Sequence, residues 1–174
     1  MRKPLLILSL VGLLTAAFVA PAAAARPDGA GRPTIVSTAI SLNASGPYAG
    51  AFDTLLAAVI ECDLAAALSG TTQLTVFAPT DAAFAELGIT PATFANGCPD
   101  GVTAILLYHV APGRWSAERI IDNDGGQLPT LNSDTLDVNV NGGVLVDQAQ
   151  VIAADVTSSN GFIHAIDAVL LPGT

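Results

Sequence analysis

The residues able to do chemistry in this 174-residue chain are few: two histidines, two cysteines, and a wide scatter of serines and aspartates. Ser158 or Ser159, with His109 or His164 and Asp155 or Asp167, supplies the three residue types of a nucleophile, base and orienter. Neither serine lies in Gly-x-Ser-x-Gly, the strained turn that lifts a nucleophile above a sheet. These residue types are common, so the match carries little and no catalytic residue is expected. Asp122 and Asp124, in Ile121-Asp-Asn-Asp-Gly125, have the flavour of a calcium loop but lack its ordered ligand series and closing glutamate. A solvated turn is expected there, with Asp134, Asp137 and Asp147 on other loops and hairpins. No metal site, phosphate cradle or cofactor is expected.

The histidines have structural explanations. His109 ends an apolar run, and a histidine among aliphatics persists when its ring nitrogens are hydrogen-bonded. It is expected to tie a helix to a neighbouring loop, with ligand contact as the alternative. His164 alternates with Phe162, Ile163 and Ile166 and is expected on a sheet surface. Trp115, between Arg114 and the expected helix cap Ser116, either anchors a partner or packs under the neighbouring Tyr108-His109 segment.

Cys62 and Cys98 bear on the compartment. Arg2 and Lys3 precede an apolar run from Leu5 to Val19, followed by Pro21 and alanines ending at Ala25. This pattern reads as a secretory signal over residues 1–25, cleaved after Ala25. In an exported chain an isolated cysteine pair is expected to form one disulfide, here contributing roughly 3–4 kcal/mol on the chain-entropy model. Beyond residue 25 the only basic side chains are Arg26, Arg32, Arg114 and Arg119, against fifteen Asp plus Glu. So acidic a chain lacks the basic footprint that nucleic acid or an anionic membrane requires. No second apolar run reaches spanning length, so stable membrane insertion is not expected.

The elements that position these residues follow from pattern. Residues 26–32 form a flexible leader rich in Gly and Pro. Thr34 to Ile40 suits a short helix with Ile35, Val36 and Ile40 inward, and Asn43 to Gly50 a polar loop. Asn43-Ala44-Ser45 has the form of a glycosylation acceptor. Phe52 to Leu68 is helical, its stripe of Phe52, Leu55, Leu56, Val59 and Ile60 breaking near Cys62-Asp63. Leu74 to Ala78 is a buried strand that Pro79 ends; Thr80 caps the next helix, Asp81 favours its dipole, and Ala83, Phe84 and Leu87 face inward before Gly88. Pro91 opens another helix. Asp100 is placed to cap a third, running through Leu107. From Gln127 the pattern turns to β: Leu136 to Val140, an Asn141-Gly142-Gly143 turn into Val144 to Val146, then Val151 to Val156, Phe162 to Ile166, and a last strand at Val169 to Leu171. Helices first and strands after point to an α+β fold.

Three of these stretches, in order, resemble the motifs of the fasciclin-type (FAS1) domain: Thr75 to Phe84; Leu106-Leu107-Tyr108-His109-Val110; and Val151 to Asp155 with Asn160-Gly-Phe-Ile-His-Ala-Ile-Asp167 and Val169 to Pro172. The likeness covers residues 33–172. It implies a wedge of antiparallel β-sheets flanked by several short helices, and a non-catalytic role in cell adhesion or in interaction at the cell surface and extracellular matrix. It also implies that Leu106, Leu107, Tyr108, His109 and Val110 form a partner-binding segment; Arg114 and Trp115 extend it, arginine and aromatics being frequent interface anchors. Arg-Gly-Asp is absent, and one domain is present where many adhesive relatives have several. The expectation is a secreted module that recognises an extracellular or cell-surface protein or glycan, with weak self-association as a further option. The alternative is a soluble extracellular carrier or sensor of a small apolar ligand.

Overall fold

A computed structural model of the chain describes residues 32–140 and 142–173. The expected signal, most of the leader and Asn141 of the hairpin turn lie outside the described residues. Helix α1 spans Ile35–Ala44, with Thr34 as its N-cap accepting from the Ser37 N–H. Helix α2 (Asp53–Glu61) and the one-turn α3 (Ala65–Leu68) are separated at Cys62-Asp63, where Asp63 has a φ of 56°. Strand β1 (Leu74–Pro79) is buried along its whole length. It runs into α4 (Asp81–Glu86), whose N-cap Thr80 accepts from the Ala83 N–H. A 3₁₀ turn at Pro91–Phe94 starts with a capping box at Thr90. Then come α5 (Val102–Tyr108), β2 (Val110–Pro112), α6 (Ala117–Ile121), β3 (Gln127–Pro129), β4 (Thr135–Asn139), β5 (Leu145–Val146), β6 (Ala149–Ser158) and β7 (Gly161–Ile166).

The fold is α+β, as expected: helices pack about one seven-stranded sheet of order β2-β1-β7-β6-β5-β4-β3. The sheet is antiparallel except between its second and third strands, where β1 and β7 run parallel, with Thr75 opposite Phe162 and Phe77 opposite His164. That register sorts the side chains by face. Leu74, Val76, Ala78, Ile163 and Ala165 join α1, α2 and α4 in one apolar core. Phe77 and Ile166 join Tyr108, Ile120, Leu128, Leu136 and Val146 in a second. The predicted Cys62–Cys98 disulfide is present, with Cα atoms 4.8 Å apart, and fastens the end of α2 to the loop before α5.

Several local expectations need correction. Ile40 and Ile60 are about half exposed, at 49% and 56%, and Leu87 at 44%. The inward stripe of α1 is Ile35 and Thr38, and that of α2 is Leu55, Ala58 and Val59, so Ile40 and Ile60 point past the core. Leu87 is the C-cap of α4, beyond its buried turn. Asp100 caps nothing: Gly101, at φ 82°, is the N-cap of α5. Helix α1 runs on through Asn43 and Ala44, shortening the expected loop. Val169 to Leu171 is not a strand, although Val169 and Leu170 are buried.

Candidate functional site

The segment from α5 to α6 crosses the edge of the sheet, and its side chains divide sharply by burial. Leu106, Tyr108, His109 and Val110 are each no more than 5% exposed. Helix α5 turns its buried face onto the sheet, and β2 is an inner-packed edge beside β1. Leu107, Arg114 and Trp115 are half-buried and reach solvent. Direct contact of the other four side chains with a partner would require them to leave the core.

His109 works as the tie. Its Nδ1 lies 2.7 Å from the Ile105 carbonyl and its Nε2 accepts from the Leu170 N–H at 2.9 Å. That pair of partners fixes a neutral ring with the proton on Nδ1. Burial pushes its pKa down to about 4, against the opposing pull of the Ile105 carbonyl. Tyr108 donates to an Asp147 carboxylate oxygen at 2.8 Å, with the Thr135 carbonyl at 3.1 Å. Asp147 in turn accepts from the Asp137 N–H at 2.7 Å. Burial first, then the Asp147 carboxylate, raise the Tyr108 phenol well above its ordinary range. This hydroxyl is a strut between α5 and the β4–β5 hairpin.

His164 is fully buried, contrary to the expected surface position. Both faces of β7 are covered, so strand alternation here separates two cores and not core from water. Its Nδ1 accepts from the Asp155 N–H at 3.2 Å and its Nε2 lies 2.7 Å from the Trp115 carbonyl, so the proton sits on Nε2. Burial lowers its pKa, opposed by the Trp115 carbonyl and by the charge of Asp155. Neither histidine bonds to a serine. Ser158 is buried, with its hydroxyl donating to the Gly161 carbonyl at 2.9 Å, so the conceivable triad is not assembled.

Above His164 lies the loop that carries Arg114 and Trp115. Thr75, on the same face of β1 as Phe77, donates to the Gly113 carbonyl and accepts from the Trp115 N–H, both at 2.9 Å. Gly113 turns the chain at φ 98°, which favours glycine. The Trp115 indole N–H donates to the Pro112 carbonyl at 3.0 Å. With its backbone so held, the loop lays the Arg114 guanidinium over the Phe162 ring at 4.6 Å. Ser116 caps α6, and Arg119 in the first turn lies 4.8 Å over the Trp115 ring while donating to the Arg114 carbonyl at 2.8 Å. Arg119 and Phe162 were not among the expected site residues. The scarcity of cations in the chain and the shared strand face of Phe162 and His164 were the available signals.

Other expectations resolve locally. Asp124 accepts from the Val140 N–H, making Ile121 to Gly125 a turn tied to the end of β4. The Asn43 amide is occupied at both ends, accepting from the Phe52 N–H at 2.8 Å and donating to Asp53 at 2.6 Å. An apolar cleft of about 340 Å³, counted to its open mouth, lies between α1, α2 and the sheet and is lined by Ile35, Val36, Ala39, Leu55, Val59 and Ile163 among others. Among the described residues no helix is long and apolar enough to cross a membrane.

The chain belongs to the fasciclin domain family, whose model matches residues 50–172. It is 44% identical over 124 residues to protein sll1483 of Synechocystis, covering 70% of this chain and 67% of that one. It is 34% identical to the transforming growth factor-beta-induced protein ig-h3 of Sus scrofa, across 70% of this chain but only 18% of that protein. Similarity to the cell surface glycolipoprotein MPB83 of Mycobacterium bovis is 31% over 100 residues, covering 58% of this chain and 44% of the relative.

Proposed function

We propose that this chain is a secreted, non-catalytic binding module of the cell surface or extracellular matrix. Its recognition face is centred on Leu107, Arg114 and Trp115 at the outer side of the α5–α6 segment. One observation carries the reading: both histidines are buried with each ring nitrogen engaged, while Arg114 and Trp115 are held at the surface by the hydrogen bonds they donate to Gln73, Thr75 and Pro112. A rigid arginine–aromatic surface suits recognition, because less side-chain entropy is lost when a partner docks. The name of the MPB83 relative supports placement at the cell surface, and the disulfide supports export. The apolar cleft gives the carrier reading less, since it is a shallow opening between α1, α2 and the sheet with no polar group among its described lining residues to orient a ligand.

The test is attachment of purified protein to native extracellular material. Arg114→Ala combined with Trp115→Phe should weaken attachment while the unfolding transition stays cooperative. Reproducible hydrolysis of an ester, peptide or glycan by pure protein, lost on changing Ser158, Ser159 or either histidine, would refute the reading.

A further inference from the structure

The described residues contain three arginines and no lysine: Arg32 at the start of the described chain, and Arg114 and Arg119 together on the recognition face. Neither of the paired guanidinium groups forms an ion pair within the described chain, although the protein carries fifteen acidic residues. Arg114 donates to Gln73 at 3.2 Å and Arg119 to the Arg114 carbonyl, each using one of five N–H donors. Asp155, which reaches the start of α6, accepts from the Ala117 N–H. Glu118 is exposed on the first turn of α6. The two planar cations are therefore held in place by the Phe162 and Trp115 rings, with most of their donors uncommitted.

From this we infer that the pair Arg114–Arg119 binds carboxylate or sulfate groups of an acidic polysaccharide. This rests on the reading of the same face as the recognition surface and names its ligand class. Arginine forks match planar or tetrahedral oxyanions in two-point hydrogen bonds. The surrounding charge selects the shape of the ligand. With four arginines against fifteen acidic residues beyond residue 25, the rest of the surface repels polyanions, and screening confines attraction by the pair to about 8 Å at physiological salt. A slender chain presenting one or two oxyanions meets the pair and little else. A broad acidic protein face would also meet the acidic surface around it.

The experiment measures retention of the purified protein on immobilised alginate and dextran sulfate, with neutral dextran and polyglutamate as controls. Wild type should be retained by at least one anionic glycan over dextran, with retention falling as NaCl is raised from about 0.02 to 0.5 M. Arg114→Gln with Arg119→Gln should bind about ten-fold more weakly, and the double lysine variant should fall between, since lysine keeps the charge but not the fork. Retention on polyglutamate equal to that on the glycans would overturn the inference in favour of an acidic peptide. Equal retention of the glutamine variant would overturn it too, as would absence of retention on both anionic glycans. If glycan binding fails while attachment to native material still depends on Arg114 and Trp115, only the ligand class falls. If attachment is indifferent as well, the recognition face falls with it.

Discussion

Two of the buried polar residues on the β6–β7 hairpin, Asn160 and His164, lie four positions apart and serve opposite faces of the sheet. Asn160 faces the helices: its side-chain carbonyl accepts from the Ile35 N–H at 2.9 Å, and its amide donates to the carbonyls of Leu68 and Gly70 at 2.8 and 2.9 Å. Its own carbonyl accepts from the Leu74 N–H, so one residue joins α1, α3 and β1. His164 faces the other way and holds the Trp115 carbonyl and the Asp155 N–H. The helical face is thus fastened around an apolar core, and the opposite face is fastened to the loop that carries Arg114 and leads into α6 with Arg119. Changes on the first side should cost stability, and changes on the second should cost binding before stability.

The hardest test of that division is Gly161, beside Asn160. A Cβ there would sit 1.6 Å from the Leu74 carbonyl oxygen, and the residue has a φ of 156°. Backbone cannot yield that far without breaking the β1–β7 pairing. Gly161→Ala should lose more than about 4 kcal/mol, seen as absence of a cooperative unfolding transition near room temperature. A thermal midpoint within a few degrees of wild type would contradict the close pairing of β7 with β1. Next in size, Asn160→Ala strands the buried Ile35 N–H and Leu68 carbonyl and frees the Gly70 carbonyl, and should cost about 3 kcal/mol in urea unfolding. His164→Ala should cost less than that while weakening attachment, because it frees the carbonyl beneath Trp115. Equal losses of stability with attachment intact would erase the contrast between the faces.

What the sequence disclosed tracks how local each cause is. The strand, cap and helix of Leu74 to Glu86 were readable because Pro79, Thr80 and Gly88 act on their immediate neighbours. The cysteine pair was readable because export and cysteine count constrain it without geometry. Nothing next to Asn160 in the sequence marks its role, since its partners lie 90 to 125 positions away. His164 was misplaced because alternation was read as core against solvent. Yet Gly161 to Ile166 is almost wholly apolar around it, the texture of a strand covered on both sides. The site was half legible: Arg114 and Trp115 stood out by type, whereas Arg119 and Phe162 join them only through the fold.

The two histidines offer a milder test through pH. A ring whose pKa is lowered on folding stays neutral while the unfolded chain takes up a proton, so stability falls as pH falls. For His109 the window runs from the unfolded value near 6.5 down to about 4, with a slope of about 1.4 kcal/mol per pH unit. His164 is lowered as well and adds in the same direction. Urea unfolding between pH 7 and 4.5 should show the decline, and His109→Ala should flatten it while costing roughly 1–3 kcal/mol at neutral pH. If the variant keeps the full slope, the Leu170 tie is not the acid-sensitive element.

The smallest effect lies in the stacking of Arg114 on Phe162. Phe162 is half-buried at the head of β7, opposite Thr75, so its ring is part of the support that carries the loop. Replacing it by leucine keeps apolar bulk but removes the π face that attracts the guanidinium. At a partly exposed site that attraction is worth about 0.5–1 kcal/mol. A double-mutant cycle of Phe162→Leu with Arg114→Gln should give a coupling of that size in unfolding free energy. Affinity should respond more than stability, since an arginine released from the ring must be ordered again when the ligand arrives. A coupling near zero, with affinity unchanged in Phe162→Leu, would show that the arginine is positioned by Gln73 and its backbone alone, and that the ring beneath it serves only the core.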